Sequence, residues 1–579
     1  MTRHFRSYAF MISLMTDERI PTPDAIALVL KEAGIDLVFG ISGGHTGTVF
    51  GALSRQQNAI RTILVREESL AAVMAEVYGR LTRRPGVVLG QGPWVLGNGL
   101  IGTIEAYFSS SPMLLLTDFS DTPGYSLHGP YQSGTGDYGS WDARRSFGGI
   151  TKQVFSALDP GMAVQATQLA IKHAMAGEPG PVAVLLSLSA LAGEVGPETR
   201  PRLYPTAHYL PPAPTAAEPA RVASAATAIA AAARPVIIAG NGVRMSQAFD
   251  ALRRLAERMG APVVTTPSGK GVLEEVHPLA LGVFGTFGTA AANAAVAEAD
   301  LVLVAGSKLT ASDTARENTA LLDPTRQVFV QIDVEPKNAA WTYPAEHQLL
   351  GDAGAVMAQL LLLLPEGRRE AGEARVAAYR QAHGHFDIAE YDAPGAPVLP
   401  QRIIGELHRH LPEDAMVCCD AGENRIFMMH LYQTRRPGHF IMAAGAGPMG
   451  FAIPAALSAK LIHPDRPVVA ICGDGGFSMT MNGLLTAIEN DIPVIVVVFN
   501  NSALGWSLHS RGPFAAEFQD FNFAAIAAAM GCAGHRVETP EELAPALQAA
   551  LTARVPTVID VRTSLGTSYI DMTSPLAKG

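Results

Sequence analysis

Unbroken apolar runs recur along the chain, and many are followed by an Ala-rich stretch of helical character. Examples are Val87–Leu89, Met113–Leu116, Val182–Leu186, Pro235–Ile238, Leu301–Val304, Val468–Ile471 and Val494–Phe499. A strand with one face in water alternates apolar and polar residues, whereas a run that is apolar throughout is buried on both faces. The pattern predicts parallel strands covered by helices. Its repetition predicts an α/β fold of three doubly wound parallel-sheet domains. Two stretches interrupt it. Residues 196–215 carry Pro197, Pro201, Pro205, Pro211, Pro212 and Pro214 and read as an extended linker. Residues 366–397 begin as a charged helix over Arg368–Arg380 and end in Asp392-Ala393-Pro394-Gly395-Ala396-Pro397. The domains are therefore expected at 20–195, 216–365 and 398–579, behind a leader at 1–19 expected to be disordered.

Composition narrows the class. With 579 residues the chain is too long for one hydrophobic core. The net charge of −10 is spread along the length, so no basic stripe marks a nucleic-acid or membrane surface. No apolar run approaches a transmembrane helix. Arg3 and Arg6 before Tyr8–Ile12 imitate a signal peptide, but Ser13–Arg19 offers no small-x-small cleavage site. Cys418, Cys419, Cys472 and Cys532 form no C-x-x-C pair. A zinc site or disulfide framework is not expected, and a cytoplasmic location is.

The chemistry gathers in the last third. Ile471-Cys472 ends an apolar run, and Gly473-Asp474-Gly475-Gly476 follows at what is then the carboxyl edge of a parallel sheet, where ligands bind. The glycines let backbone N–H groups approach a phosphate, and Asp474 offers Mg²⁺ a carboxylate. A helix is expected from about Met481 to Glu489. The next strand ends in Asn500-Asn501, whose amide oxygens are hard ligands. Either half alone reads as an ordinary βα turn. Together, with strand, helix and strand between, they form a magnesium–diphosphate signature.

With this motif in place the chain resembles the thiamine-diphosphate enzymes, in the group of acetolactate synthases, 2-oxo acid decarboxylases and benzaldehyde lyases, over nearly its whole length from about residue 20. The resemblance implies an N-terminal pyrimidine-binding domain, a central Rossmann-like domain and a C-terminal diphosphate-binding domain. It implies that Asp474, the Asn501 side chain and the Ala503 carbonyl ligate Mg²⁺. Gly473, Gly475, Gly476, Leu504 and Gly505 then belong to the cofactor site, and Glu423 and Asn424 meet the diphosphate end. Within Gly445–Phe451, Met449 takes the place of the apolar wedge that bends the cofactor, and the Gly447 carbonyl the place that holds its 4′-nitrogen.

Activation of the cofactor needs a carboxyl group beside the aminopyrimidine N1′. Arg66-Glu67-Glu68-Ser69, followed by Ala71-Ala72 and Tyr78-Gly79-Arg80, resembles the family's Arg-His-Glu stretch. The spacing to Tyr78 and Arg80 puts Glu68 in the catalytic place and Glu67 where many relatives have histidine. On the residues alone both acids also suit a solvated helix N-terminus. Glu68 and Asp474 fall in different domains, so the resemblance implies a cofactor shared between subunits: at least a homodimer, with a homotetramer expected.

The substrate side departs from the pattern. Phe39–His45 resembles the family's Phe-Gly-x-Pro-Gly-Gly turn with Ser42 in place of proline. Gly44 and His45 are expected at the substrate pocket, His45 as a proton donor or as a structural histidine. Trp94 and one extra residue intrude into Gly90–Asn98, and the family's substrate-contacting Gln is absent near Tyr138-Gly139-Ser140. His128 and Gln132, on a Gly-rich stretch upstream, are further catalytic candidates. Trp506 and His509 are expected to face the same cavity. In the middle segment Gly240-Asn241-Gly242, Thr265-Thr266, Gly285–Thr289, Gly306-Ser307-Lys308, Asp333 and Gly351-Asp352 resemble the family's central domain, which leaves FAD, ADP or nothing as its ligand.

The expected activity is decarboxylation of a 2-oxo acid with ligation to a carbonyl acceptor, as in acetolactate synthases. The alternatives are a non-decarboxylating C–C lyase or hydrolase, an acyl-CoA lyase, a flavin-dependent oxidase and a silent paralogue. Intact Glu68, Asp474 and Asn501 argue against the last.

Overall fold

A computed structural model describes residues 19–123, 132–210 and 213–577. The chain falls into two compact units, Met1–Ala213 and Pro214–Gly579. The first holds one six-stranded sheet and the second holds two, and every strand pair in all three is parallel.

In the first unit the strands are β1 (Leu37–Gly40), β2 (Arg61–Leu64), β3 (Gly86–Gly90), β4 (Met113–Asp118), β5 (Gln153–Ala157) and β6 (Pro181–Leu186), in spatial order 2-1-3-4-6-5. Strands β3, β4 and β6 are buried at every residue, as expected of apolar runs covered on both faces. A short antiparallel pair, Ile20–Pro21 with Glu194–Val195, ties the two ends of this unit together. The order in which strands are added reverses between β1 and β3, the switch point at which such sheets open a crevice.

The central sheet comprises β7 (Pro235–Ala239), β8 (Val263–Thr265), β9 (Ala280–Val283), β10 (Leu301–Ala305), β11 (Val328–Asp333) and β12 (His347–Leu350), ordered 9-8-7-10-11-12. This is the Rossmann order, 3-2-1-4-5-6 within the domain. At its switch point the loops after β7 and β10 close on each other. The Gly242 amide donates to the Gly306 carbonyl at 2.9 Å, and a Cβ on Gly306 would stand 2.5 Å from the Gly242 Cα.

The last sheet comprises β13 (Met416–Cys419), β14 (Phe440–Met442), β15 (Val468–Gly473), β16 (Ile495–Asn500), β17 (Ala533–Val537) and β18 (Thr557–Arg562). Its order, 14-13-15-16-18-17, repeats that of the first sheet. A buried polar cluster of the central domain reaches the last domain through Glu275. Arg244 donates to the Lys270 carbonyl at 2.7 Å, and the Lys270 ammonium donates to both Glu275 oxygens at 2.8 and 2.7 Å. Glu275 in turn accepts from the Thr434 amide at 2.9 Å.

One local expectation is corrected. The helix after β15 does not wait for Met481: it begins at Asp474 and runs to Thr480, and a second covers Gly483–Glu489. The two glycines do not break this first turn, because the strand passes directly into a helix whose amides face the sheet edge. All four cysteines are buried free thiols, and among the described residues no helix is long and apolar enough to cross a membrane.

Candidate cofactor and active site

In the second unit the loops at the carboxyl ends of β13, β15 and β16 surround a cavity of about 310 Å³. It lies at the switch point between β13 and β15. Its lining brings together Glu423, Asn424, Gly447, Met449, Gly473, Asp474, Gly475, Gly476, Asn501, Ala503, Leu504, Gly505 and Trp506. Pro400, Arg425, Phe427, Thr563, Ser564 and Thr567 also line it. Arg425 and Phe427 follow Glu423 on the helix after β13, whereas Thr563, Ser564 and Thr567 come from beyond β18 and Pro400 from the start of the helix Pro400–His410, where no local motif marks them.

Asp474 is held by backbone. Oδ1 accepts from the Gly475 amide at 2.7 Å and Oδ2 from the Ala503 amide at 3.1 Å. Asn501 Oδ1 accepts from that same Ala503 amide at 3.0 Å, so one N–H draws the carboxylate and the amide oxygen to one point. Burial pushes the Asp474 carboxyl up to about 6, against the pull of the Gly475, Ala503 and Ser502 amides, and Asp560 adds to the rise. Such a group favours a cation beside it. The turn that aims Ala503 depends on Ser502 at φ 56°, pinned by an Arg562 guanidinium donating to its hydroxyl at 2.8 Å and the Phe518 amide donating to its carbonyl at 2.7 Å. Asn500 plays no part in the cavity: its amide donates to Asp560 at 2.8 Å and to the Phe521 carbonyl at 3.0 Å.

Among the described residues no three His, Cys, Asp or Glu side chains cluster as a metal site. One carboxylate, one amide oxygen and one backbone carbonyl are too few to enclose a metal alone. They suit Mg²⁺ completed by phosphate oxygens and water.

Met449 lines the cavity beside Gly475. A Cβ on Gly475 would stand 2.8 Å from the Met449 Cε and 3.0 Å from a Leu504 methyl, so glycine there leaves room for both side chains. The loop carrying Met449 hangs on Asp420, whose Oδ2 accepts from the Gly450 amide at 3.0 Å and Oδ1 from the Phe451 amide at 3.3 Å. Burial pushes the Asp420 carboxyl up to about 7, although the amides of Ala421, Phe451, Gly450 and Ala452 pull it down. A carboxyl that binds its proton more tightly when folded stabilises fully below its unfolded value and loses that contribution as pH rises through the folded one. Stability from this group is thus expected to fall by roughly 2–4 kcal/mol between about pH 4 and 7. Melting curves of Asp420→Asn should be flatter across that window than wild type; parallel curves would remove the assignment.

Glu423 and His509 form a pair, with Glu423 Oε1 2.8 Å from His509 Nδ1 and accepting the Tyr569 amide at 2.9 Å. His509 Nε2 lies 3.2 Å from the Leu565 carbonyl. His509 is therefore turned onto Glu423 instead of into the cavity as the sequence suggested. Trp506 does line the cavity, stacked on Tyr569 at 3.9 Å with Phe287 against its edge.

In the first unit Glu68 opens the helix Glu68–Thr82 and is 6 % exposed. Asn98 donates to its Oε2 at 3.0 Å. Tyr78 and Arg80 are framework: the Tyr78 hydroxyl donates to Asp36 at 2.6 Å, and Arg80 is buried against Glu76, Glu105 and Ser109. Gly44 and His45 lie in a short turn after β1, and Gln91, after β3, packs against Gly44. The Gln91 amide donates to Gln132 Oε1 at 2.9 Å, which brings Gln132 to the same edge. Trp94 sits nearby on the helix Gly92–Gly97, half exposed at 49 %. His128 lies outside the described residues.

Comparison with known proteins divides the chain along the same lines. Residues 22–137 match the thiamine pyrophosphate enzyme N-terminal TPP binding domain, 222–360 the central domain and 420–561 the C-terminal TPP binding domain. The chain belongs to the thiamine pyrophosphate enzymes. It is 32% identical to a probable acetolactate synthase large subunit of Methanocaldococcus jannaschii, over 93% of this chain and 91% of that protein. It is 30% identical to a probable 2-ketoarginine decarboxylase of Pseudomonas aeruginosa, over 95% and 96%. It is also 29% identical to a sulfoacetaldehyde acetyltransferase of Castellaniella defragrans, over 93% and 92%. Within the family it is a thiamine-diphosphate-dependent enzyme of the acetolactate synthase and 2-oxo acid decarboxylase group, a carboligase or decarboxylase.

Proposed function

We propose that the protein decarboxylates a 2-oxo acid and ligates the remaining fragment to a second carbonyl compound. The observation that carries this reading is the cavity, lined by Met449, in which Asp474 and Asn501 converge on one amide. Thiamine diphosphate, when bound, supplies the electron sink that lets the carboxylate of a 2-oxo acid leave as CO₂.

The chain's own residues bind, orient and move protons. Asp474, Asn501 and the Ala503 carbonyl would hold Mg²⁺. The amides around Gly473–Gly476 and the Glu423–Asn424 turn receive the diphosphate, with Leu504 and Gly505 walling the same side. Met449 would be the apolar wedge against the bound cofactor, and the Gly447 carbonyl would hold its aminopyrimidine. Glu68, steadied by Asn98, would exchange a proton with that ring. His45, with Gln132 near it and His128 further along the chain, handles protons on the substrate side, where Gly44, Trp94 and Trp506 shape the pocket. The domains are assigned as pyrimidine-binding at 20–195, central at 216–365 and diphosphate-binding at 398–579, with linkers at 196–215 and 366–397. A homodimer supplies Glu68 from one copy and Asp474 from the other, and a homotetramer pairs two such dimers. Four buried free thiols suit a cytoplasmic setting.

CO₂ release from a panel of 2-oxo acids, with thiamine diphosphate and Mg²⁺ supplied, tests the reaction. No release from any acid, together with cleavage of an acyloin or a dione, would overturn it. For the central domain the resemblance offers FAD or ADP. A yellow purified protein identifies the first, and a colourless one that releases an adenine nucleotide on denaturation identifies the second.

A further inference from the structure

The carboxyl edge of the first sheet holds a carboxylate that the proposed chemistry has not used. Asp118 is the last residue of β4 and is wholly buried. Its Oδ1 accepts from the Gly92 amide at 3.3 Å, and its Oδ2 accepts from the Ser120 hydroxyl at 2.9 Å. A buried carboxylate needs donors or a cation, and two neutral donors leave Oδ2 with capacity to spare. The basic group standing at ion-pair distance is His45, whose Nδ1 lies 3.2 Å from Oδ2.

The imidazole is asymmetrically placed. Nδ1 is shielded from solvent and takes no aligned hydrogen bond, although the side chain as a whole is 27 % exposed. The open part of the ring is therefore the side carrying Nε2. The backbone under it is fixed: Thr46 donates to the Gly43 carbonyl at 2.8 Å, and Thr48 donates to the His45 carbonyl at 2.9 Å. At 3.2 Å, Oδ2 is within reach of a proton on Nδ1 once the ring turns toward it. The group bonded to one imidazole nitrogen decides which nitrogen carries the proton.

We propose that Asp118 is a positioning residue that holds His45 by Nδ1–H, leaving Nε2 as the atom that exchanges protons with the substrate. This rests on the proton-handling role given to His45 above. Asp118→Asn reverses the arrangement. The amide oxygen keeps the Gly92 bond in the Oδ1 place, so the NH₂ group replaces Oδ2 and faces Nδ1. A donor there requires an unprotonated Nδ1 and puts the ring proton on Nε2.

Two measurements test it. The first needs no turnover: ¹⁵N-histidine spectra, with His45→Gln used to assign the signal. Wild type should show Nδ1–H and Asp118→Asn should show Nε2–H; Nε2–H in the wild type overturns the inference. The second is a kinetic double-mutant cycle on the 2-oxo acid turned over fastest in the panel above. His45→Gln and Asp118→Asn should each lower kcat by about 10- to 100-fold with little change in KM, and the double variant should be no slower than His45→Gln alone. Full kcat in His45→Gln removes the role given to His45. Loss in His45→Gln with full kcat in Asp118→Asn overturns the positioning role by itself. Losses that multiply in the double variant show Asp118 acting on the fold independently of His45, and overturn it too. If Asp118→Asn lowers the melting temperature, Ser120→Ala keeps the carboxylate and removes one of its donors. That variant should give a smaller loss that likewise disappears in the His45→Gln background.

Discussion

Asp474→Asn is expected to raise the Kd for thiamine diphosphate in the presence of Mg²⁺ by at least about 100-fold and to lower kcat/KM by at least about 1000-fold. The reason lies in the way one amide organises two ligands. Asp474 Oδ2 and Asn501 Oδ1 both accept from the Ala503 N–H, at 3.1 and 3.0 Å, so their remaining lone pairs converge without side-chain adjustment. The asparagine variant loses a unit charge against a divalent cation. It also cannot satisfy both amide neighbours, because its NH₂ group must face either the Gly475 or the Ala503 N–H. Titration calorimetry with thiamine diphosphate and Mg²⁺ reads the binding loss directly. An unchanged Kd would show that the metal is held elsewhere.

The convergence at Asp474 is largely legible in the sequence, because both halves of the motif sit at ends of strands whose apolar runs, Val468–Ile471 and Val494–Phe499, announce themselves. A parallel sheet places neighbouring strand ends side by side, so two local turns far apart in sequence imply one site. The legibility ends where positioning is non-local. Ser502 is pinned by Arg562 and Phe518, and neither carries a motif. His509, downstream of the metal motif, is expected at the cavity with Trp506, yet it pairs with the Glu423 carboxylate. Asp118 carries no motif, and only the packing of β4 beside β3 and β1 brings it to His45. The helix start at Asp474 was misplaced for a different reason. Gly475-Gly476 has low intrinsic helix propensity, but the strand entering the turn and the carboxylate accepting the Gly475 amide outweigh it.

Glu68→Gln should separate chemistry from binding in the way Asp474→Asn does not. Its expected effect is a loss in kcat of about 100- to 10,000-fold, with the Kd for thiamine diphosphate within about 5-fold of wild type. Glu68 is 6 % exposed, and Asn98 donates to one of its oxygens at 3.0 Å. The other oxygen is left to share a proton with whatever base enters. Glutamine keeps the volume and offers an oxygen to Asn98, so the helix Glu68–Thr82 and its buried Glu76–Arg80–Glu105 support should stay in place. What it removes is a group that both accepts and returns a proton. Single-turnover rates paired with cofactor titration provide the measurement. A kcat within about 3-fold of wild type would take the activating role away from Glu68, since uncatalysed proton exchange does not compensate for a lost acid–base group of this kind. A loss in affinity equal to the loss in rate would instead assign Glu68 to binding, because an interaction formed only as the proton moves alters kcat and leaves the resting complex untouched.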